Sequence, residues 1–187
     1  IGMTSQQHQV LRARRFGVDT HAETVVFLRK DCPICRSEGF TSHNRILLSA
    51  GKRHVIATLY QVESDILDCD EAGLSNATWR HLAVGEGDVL AARHAPTVES
   101  LGLLRSRIFG HPLGDDALRQ VISDIVAGRY SAIEIAAFIT ACAANPLSQA
   151  EICALTRAMV DTGQRLTWPR PVIVDKHSVG GLPGNRT

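Results

Sequence analysis

The chain changes its hydrophobic period once, near Ala95-Pro96, and that change excludes a single uniform architecture. Before it, short runs rich in Val, Ile and Leu are bounded by Gly, Ser, Asn and Asp, the pattern of half-buried strands. Strands are expected over 23–28, 45–48, 54–59 and 88–92, with Ala50-Gly51-Lys52 as a tight hairpin turn between the second and third. Ser75 is placed to cap a short helix over 76–82, and the glycines of Val84-Gly85-Glu86-Gly87-Asp88-Val89 suit a turn feeding a strand. Short strands with one or two small helices predict a small β-barrel-like domain over 1–95.

Beyond Pro96 the apolar residues recur three or four apart, as on amphipathic helices. Val98, Leu101, Leu104 and Ile108 mark a helix over 97–109 closed by Gly110; Leu118, Val121, Ile122 and Ile125 mark another over 116–127 closed by Gly128. Ser131 with Glu134, and Ser148 with Glu151, form capping boxes that open two more helices, up to Ala144 and over 149–162. The first of these is apolar on nearly every side (Ile133, Ile135, Ala136, Phe138, Ile139, Cys142), so it is expected to be surrounded, inside a bundle or at a subunit interface. Four helices on short loops predict a helical bundle domain over 96–168.

After Trp168-Pro169-Arg170-Pro171 the pattern switches again, to Val172-Ile173-Val174. An uninterrupted β-branched run fits a strand buried on both faces, as in a parallel sheet. The expected fold class is therefore α+β and multidomain, with 169–187 as the first strand and phosphate loop of a truncated α/β domain.

Bulk composition narrows the function. Lys+Arg 20 against Asp+Glu 19 gives a net charge of +1, which argues against a nucleic-acid or membrane-surface partner. No apolar run approaches the roughly 20 residues that cross a bilayer, and the N-terminal residues lack the regions of a secretory signal. Five cysteines without a regular framework fit a reducing, cytoplasmic setting. Cys32-Pro33-Ile34-Cys35 lacks the second pair that structural zinc takes, and no metal site is expected. A redox role would want the motif at the start of a helix after a strand. Ser37, Gly39 and Ser42 instead read as loop, so Cys32 and Cys35 are expected in a turn as buried or half-buried thiols.

The chemistry is concentrated in Asp175-Lys176-His177-Ser178-Val179-Gly180-Gly181-Leu182-Pro183-Gly184-Asn185-Arg186-Thr187. A bound phosphate needs backbone N–H groups at close range, a cation and hydroxyl donors. Gly180, Gly181 and Gly184 let the backbone approach, Lys176 carries the charge, and Ser178 and Thr187 carry hydroxyls. A helix starting near Thr187 would turn its N-terminal dipole to the anion. A tight strand-to-helix turn would explain the glycines alone, but not the Lys, the His and the two hydroxyls. His177 reads either as an orienting residue or as a proton donor close to the substrate.

Asp175-Lys176-His177-Ser178-x-Gly180-Gly181 resembles the phosphate-loop signature of the thymidine/pyrimidine-nucleoside phosphorylase family. The continuation Leu182-Pro183-Gly184-Asn185-Arg186-Thr187 is similar to its longer branch, which includes AMP phosphorylases and bacterial thymidine-phosphorylase relatives. Cys32–Phe40, Asp70–Ser75 and Val84–Val89 are similar to the extra N-terminal domain of that branch. Arg107-Ile108-Phe109-Gly110, Ser123-Asp124-Ile125 and 155–160 resemble the helical domain of the family.

The resemblance implies phosphorolysis: phosphate displaces the base from C1′ of a nucleoside, thymidine first among the candidates, to give a sugar 1-phosphate. It implies that Lys176, Ser178, Gly180, Gly181, Pro183 and Thr187 bind phosphate or substrate, that His177 is catalytic, and that inorganic phosphate is the co-substrate with no cofactor. It further implies a nucleoside or nucleotide as the other substrate, and a homodimer through the helical domain. The base-reading residues of the family lie further along than residue 187, so the isolated chain is expected to be inactive. AMP phosphorolysis is the sister expectation. An anthranilate-type phosphoribosyltransferase, disfavoured by Lys176-His177-Ser178, and a non-catalytic interaction module are the alternatives.

Overall fold

The computed structural model describes residues 10–165, 167–169, 172 and 174. Six strands, β1 (Leu11–Arg15), β2 (Val25–Arg29), β3 (Arg45–Ala50), β4 (Arg53–Val62), β5 (Glu71–Leu74) and β6 (Val89–His94), close into a barrel in the order β1-β5-β2-β4-β3-β6. The β1–β5 and β2–β4 pairs are parallel and the other four antiparallel. Closure leaves no free edge. It also gives every strand one inward face: Leu11 and Ala13, Val26 and Leu28, Ile46 and Leu48, Ala57 and Leu59, Ala72 and Leu74, and Leu90 form one buried core.

The four expected strands are present with shifted ends. The hairpin between β3 and β4 turns on Gly51-Lys52, with Ala50 opposite Arg53 and Gly51 at φ 57°. Two strands escape the sequence pattern. In β1, Leu11 and Ala13 alternate with Arg12 and Arg14, which face outward to ion pairs with Asp70 and Glu71. The four-residue β5 contains Gly73, where a Cβ would lie 2.8 Å from the Phe16 ring; that ring packs on Phe27 at 5.2 Å.

Two short helices ride on the barrel. The one expected at Ser75 is α2 (Asn76–Leu82), with the Ser75 hydroxyl accepting from the Thr78 N–H at 3.3 Å. The other corrects the loop reading of the Cys-x-x-Cys segment. Helix α1 (Pro33–Glu38) starts at Cys32, has Pro33 in its first turn, and ends on Gly39 in the left-handed conformation. Proline pre-sets the first helical φ and glycine accepts the terminal left-handed one, so Gly39, expected in a loop, instead closes a helix that Pro33 opens.

The second core is helical. Helices α3 (Leu101–Ile108), α4 (Asp115–Val126), α5 (Ala132–Ala144) and α6 (Gln149–Thr162) gather Leu104, Leu118, Val121, Ile122, Tyr130, Phe138, Ala154 and Ala158. Both capping boxes form: Ser131 and Ser148 accept from the Glu134 and Glu151 amides, and each glutamate accepts back from its serine N–H. Helix α3 starts later than its apolar spacing suggests, because the Ser100 hydroxyl donates to Asp124 and makes no cap. The expectation that α5 is surrounded does not hold within the chain. Only Phe138 and Ala141 are buried along it, while Ile133 is 79% and Ile139 62% exposed.

Val172 and Val174 are exposed, and neither has a strand beside it among the described residues. The remainder of the segment expected to form a strand and phosphate loop lies outside the described residues. No helix among the described residues is long and apolar enough to cross a membrane.

Candidate functional site

Lys176, His177, Ser178, Gly180, Gly181, Pro183 and Thr187 lie outside the described residues. The described residues contain the scaffold that leads to this segment, and its polar chemistry falls in three places.

A cleft of about 700 Å³ separates the barrel from α4 and α5, lined among others by Glu23, Arg45, His54, His81, Arg129 and Ile135. Arg45, on β3, spans it. One guanidinium nitrogen donates to the Thr58 hydroxyl at 3.0 Å and the other to the Gly128 carbonyl at 2.8 Å, just past the end of α4. Thr58 passes the contact on, donating to Glu23 at 3.1 Å. Burial pulls Arg45 below its ordinary pKa, against the pull of Glu134 and Glu23, and its Nε is buried without a partner. Arg45 is thus a tie between the two cores as well as a strand residue.

Inside the helical core, Arg107 of α3 and Glu151 of α6 form a buried ion pair at 3.1 Å. Glu151 does more than cap its helix. One carboxylate oxygen accepts from the Leu113 N–H at 3.0 Å and from Arg107; the other accepts from the Ser148 N–H at 2.9 Å and the Ser148 hydroxyl at 2.8 Å. These bonds, the Leu113 amide first, hold its pKa down to about 2 despite burial. Arg107 also donates to the Asn145 carbonyl at the end of α5, so one side chain gathers three helices. Nearby, buried Asp124 accepts from Ser100 at 2.5 Å and from Arg129 at 2.7 Å, and Ser100 lies 3.0 Å from the Tyr130 hydroxyl. Burial raises the Tyr130 pKa.

Neither network was legible as a network. Arg107 and Asp124 lie in segments that resemble the helical domain of the family, and Glu151 lies in a capping box, but no spacing rule links residues 44 apart. The available signal was a charged residue on the apolar stripe of a helix, as Asp124 is among Val121, Ile122 and Ile125.

The third place is the thiol pair of α1. The Cys35 N–H donates to the Cys32 sulfur at 3.4 Å, and both side chains are buried. Among the described residues no group of three or more His, Cys, Asp or Glu is arranged to hold a metal.

Residues 102–163 match the model of the glycosyl transferase family, helical bundle domain. The chain is 48% identical to "Putative thymidine phosphorylase 2" of Acidovorax sp. strain JS42, covering 99% of the chain and 38% of that protein. It is 50% identical to "Putative thymidine phosphorylase" of Polaromonas sp. strain JS666, over 95% of the chain and 35% of that protein. For the protein of the same name from Hahella chejuensis the identity is 45%, over 99% of the chain and 37% of that protein. The chain thus spans less than two-fifths of the length of these relatives.

Proposed function

Because the chain belongs to the thymidine-phosphorylase-like glycosyl transferases, we propose that it is the N-terminal portion of an enzyme that cleaves a pyrimidine nucleoside with phosphate. Thymidine and phosphate give thymine and 2-deoxyribose 1-phosphate. The observation that carries this reading is the Lys176-His177-Ser178-x-Gly180-Gly181 segment in a chain that is 45–50% identical, nearly end to end, to relatives of that name.

In this reading the division is 1–95, 96–168 and 169–187, the last opening the phosphate-binding domain. Lys176 and the Ser178 hydroxyl hold the phosphate, joined by the Gly180 and Gly181 amides and the Thr187 hydroxyl, with Pro183 among the residues that bind phosphate or substrate. Breaking the bond at C1′ leaves oxocarbenium character on the sugar, which a fixed anion stabilises. Holding the phosphate in place beforehand removes the entropy of bringing two solutes together. His177 donates a proton or hydrogen bond to the departing base. The uncovered Ile133 and Ile139 of α5 support a second copy packing there, because exposed apolar clusters mark interaction surfaces.

A second reading, AMP phosphorolysis to adenine and ribose 1,5-bisphosphate, is favoured by Leu182-Pro183-Gly184-Asn185-Arg186-Thr187. The full-length enzyme, incubated with phosphate and either thymidine or AMP, separates the two. Thymine is the expected product, and adenine without thymine selects the second reading. Lys176→Ala is expected to lower kcat/KM by about two orders of magnitude, the scale for losing one positioned electrostatic group. Unchanged turnover in that variant removes the phosphate loop from the mechanism.

A further inference from the structure

The proposed reaction leaves the Cys32 and Cys35 thiols unused. Their placement is that of a reactive pair. Cys32 sits at the head of α1 with φ −64° and ψ 148°, directly after β2 and a two-residue turn, and Cys35 is the third residue of the helix. One helical turn brings Cα atoms three residues apart to roughly 5 Å, within the approximately 4.4–6.8 Å that a disulfide spans. The Cys35 N–H donates to the Cys32 sulfur at 3.4 Å, which holds that sulfur over the first turn of the helix. The Arg29 guanidinium pairs with the neighbouring Asp31 carboxylate at 2.7 Å.

We propose that Cys32 and Cys35 are a redox modification site, a dithiol that a small hydroperoxide converts to an intramolecular disulfide. The Cys32 thiolate attacks the peroxide; an S–O bond forms, the O–O bond breaks, and the leaving oxygen departs as water after taking a proton. Cys35 then gives up its proton and attacks the Cys32 sulfur. The S–S bond forms as the S–O bond breaks, and the hydroxide leaves with that proton as a second water. Two thiols and one hydrogen peroxide thus become one disulfide and two waters, and a small dithiol reverses the change.

The electrostatics agree with the assignment of roles. The hydrogen bond from Cys35 outweighs burial and draws Cys32 down to about 7, while the same bond and burial push Cys35 far up. One thiol is therefore primed as nucleophile near neutral pH, and the other keeps its proton until it resolves the intermediate. Both side chains are closed to solvent, Cys32 completely. That selects for an oxidant the size of hydrogen peroxide and for brief opening of α1. The helix has only six residues, and Glu38 at its end meets His94 of β6 through its carbonyl, 2.9 Å from the ring nitrogen.

The test uses the whole chain, treated with hydrogen peroxide at a dose that modifies exposed Cys153, then unfolded in urea with excess N-ethylmaleimide and digested with trypsin. Lys30 and Arg36 bracket both thiols in one peptide, 31–36. The expected peptide is unlabelled and lighter than the dithiol by two hydrogens, and dithiothreitol restores labelling at both positions. A doubly labelled peptide, or Cys32 oxidised to sulfinic acid without a link, overturns the proposal. In Cys35→Ser, dimedone is expected to trap the Cys32 sulfenic acid. If that variant does not fold, the wild-type peptide decides alone.

Discussion

The barrel and the helices bury their interiors in different ways. Around Val26, Leu28, Ile46, Leu48, Leu59, Leu74 and Leu90 the barrel core is apolar, and its buried polar residues among those described are the uncharged Thr58, Ser75 and Thr78. The helical core encloses Arg107, Asp124 and Glu151, the buried charged residues among those described, and leaves Ile133, Ile139, Ile152, Met159 and Val160 facing out. A closed sheet satisfies its backbone by itself and needs only volume filled. Four helices on short loops carry loose carbonyls and amides at every turn, and charged side chains tie these together. The comparison teaches that the barrel is complete in its own right, whereas the helices combine ionic pinning inside with apolar surface still to be covered.

The strongest way to break the contrast is to remove one member of the buried ion pair. Arg107→Ala leaves the Glu151 carboxylate buried without its cation and releases the Asn145 carbonyl. Losses on this pattern run to about 3–5 kcal/mol. Thermal unfolding followed by far-UV circular dichroism should separate into two transitions, with the helical signal melting early and the barrel unchanged. A single, unshifted transition would show that the pinning is dispensable.

Acid acts on the same place. The folded pKa of Glu151 is about 2 against an ordinary 4.5, so the carboxylate contributes stability that is complete above about pH 4.5 and disappears as the pH falls towards 2. The difference corresponds to roughly 3 kcal/mol. Urea titrations across that window should show the helices losing stability first, and Glu151→Gln should flatten the dependence. An equal loss in both halves would remove the distinction.

The opposite perturbation strikes the barrel. A side chain at Gly73 meets the Phe16 ring at 2.8 Å, and Phe16 is itself packed on Phe27. Gly73→Val is therefore expected to destabilise the barrel by about 1–3 kcal/mol through overpacking. Helical melting should stay where it was, and Phe16→Ala in the same chain should recover part of the loss by opening the space.

How much of this was legible in the sequence follows the same divide. Helix stripes and both capping boxes are local, within one or two turns, and could be read directly. Barrel closure rests on the parallel pairings of β1 with β5 and β2 with β4, which join Arg12 to Glu71 and Val25 to Thr58. No local pattern encodes such a pairing. The three arginines of β1 hid a strand whose inward residues are Leu11 and Ala13, although their alternation was the right signal. In α1, Ser37 and Gly39 suggest a loop, but Pro33 first and Gly39 last is the order of a helix and its end. The phosphate loop was legible only as chemistry: glycines, a lysine and hydroxyls state what could be bound, while the positions of 175–187 lie outside the described residues.

The smallest expected effect bears on a residue where the chain runs against its own preference. Helix α2 ends on Ala83 in the left-handed conformation, φ 46° and ψ 52°, its N–H donating to the Trp79 carbonyl. An alanine there suffers the clash of its Cβ that glycine avoids, and glycine is the residue helices ordinarily place at such an end. Against this, glycine gains entropy in the unfolded chain, which works the other way. The strain of roughly 1 kcal/mol for a side chain in this region exceeds that entropic term, so Ala83→Gly is expected to stabilise the barrel by about 0.5 kcal/mol. Because Leu82 beside it is buried in the barrel core, the gain should appear in the barrel transition and leave the helical one unmoved. A shift of the helical transition instead would mean that the two cores unfold as one unit, joined through Arg45, and that the contrast between them is structural without being thermodynamic.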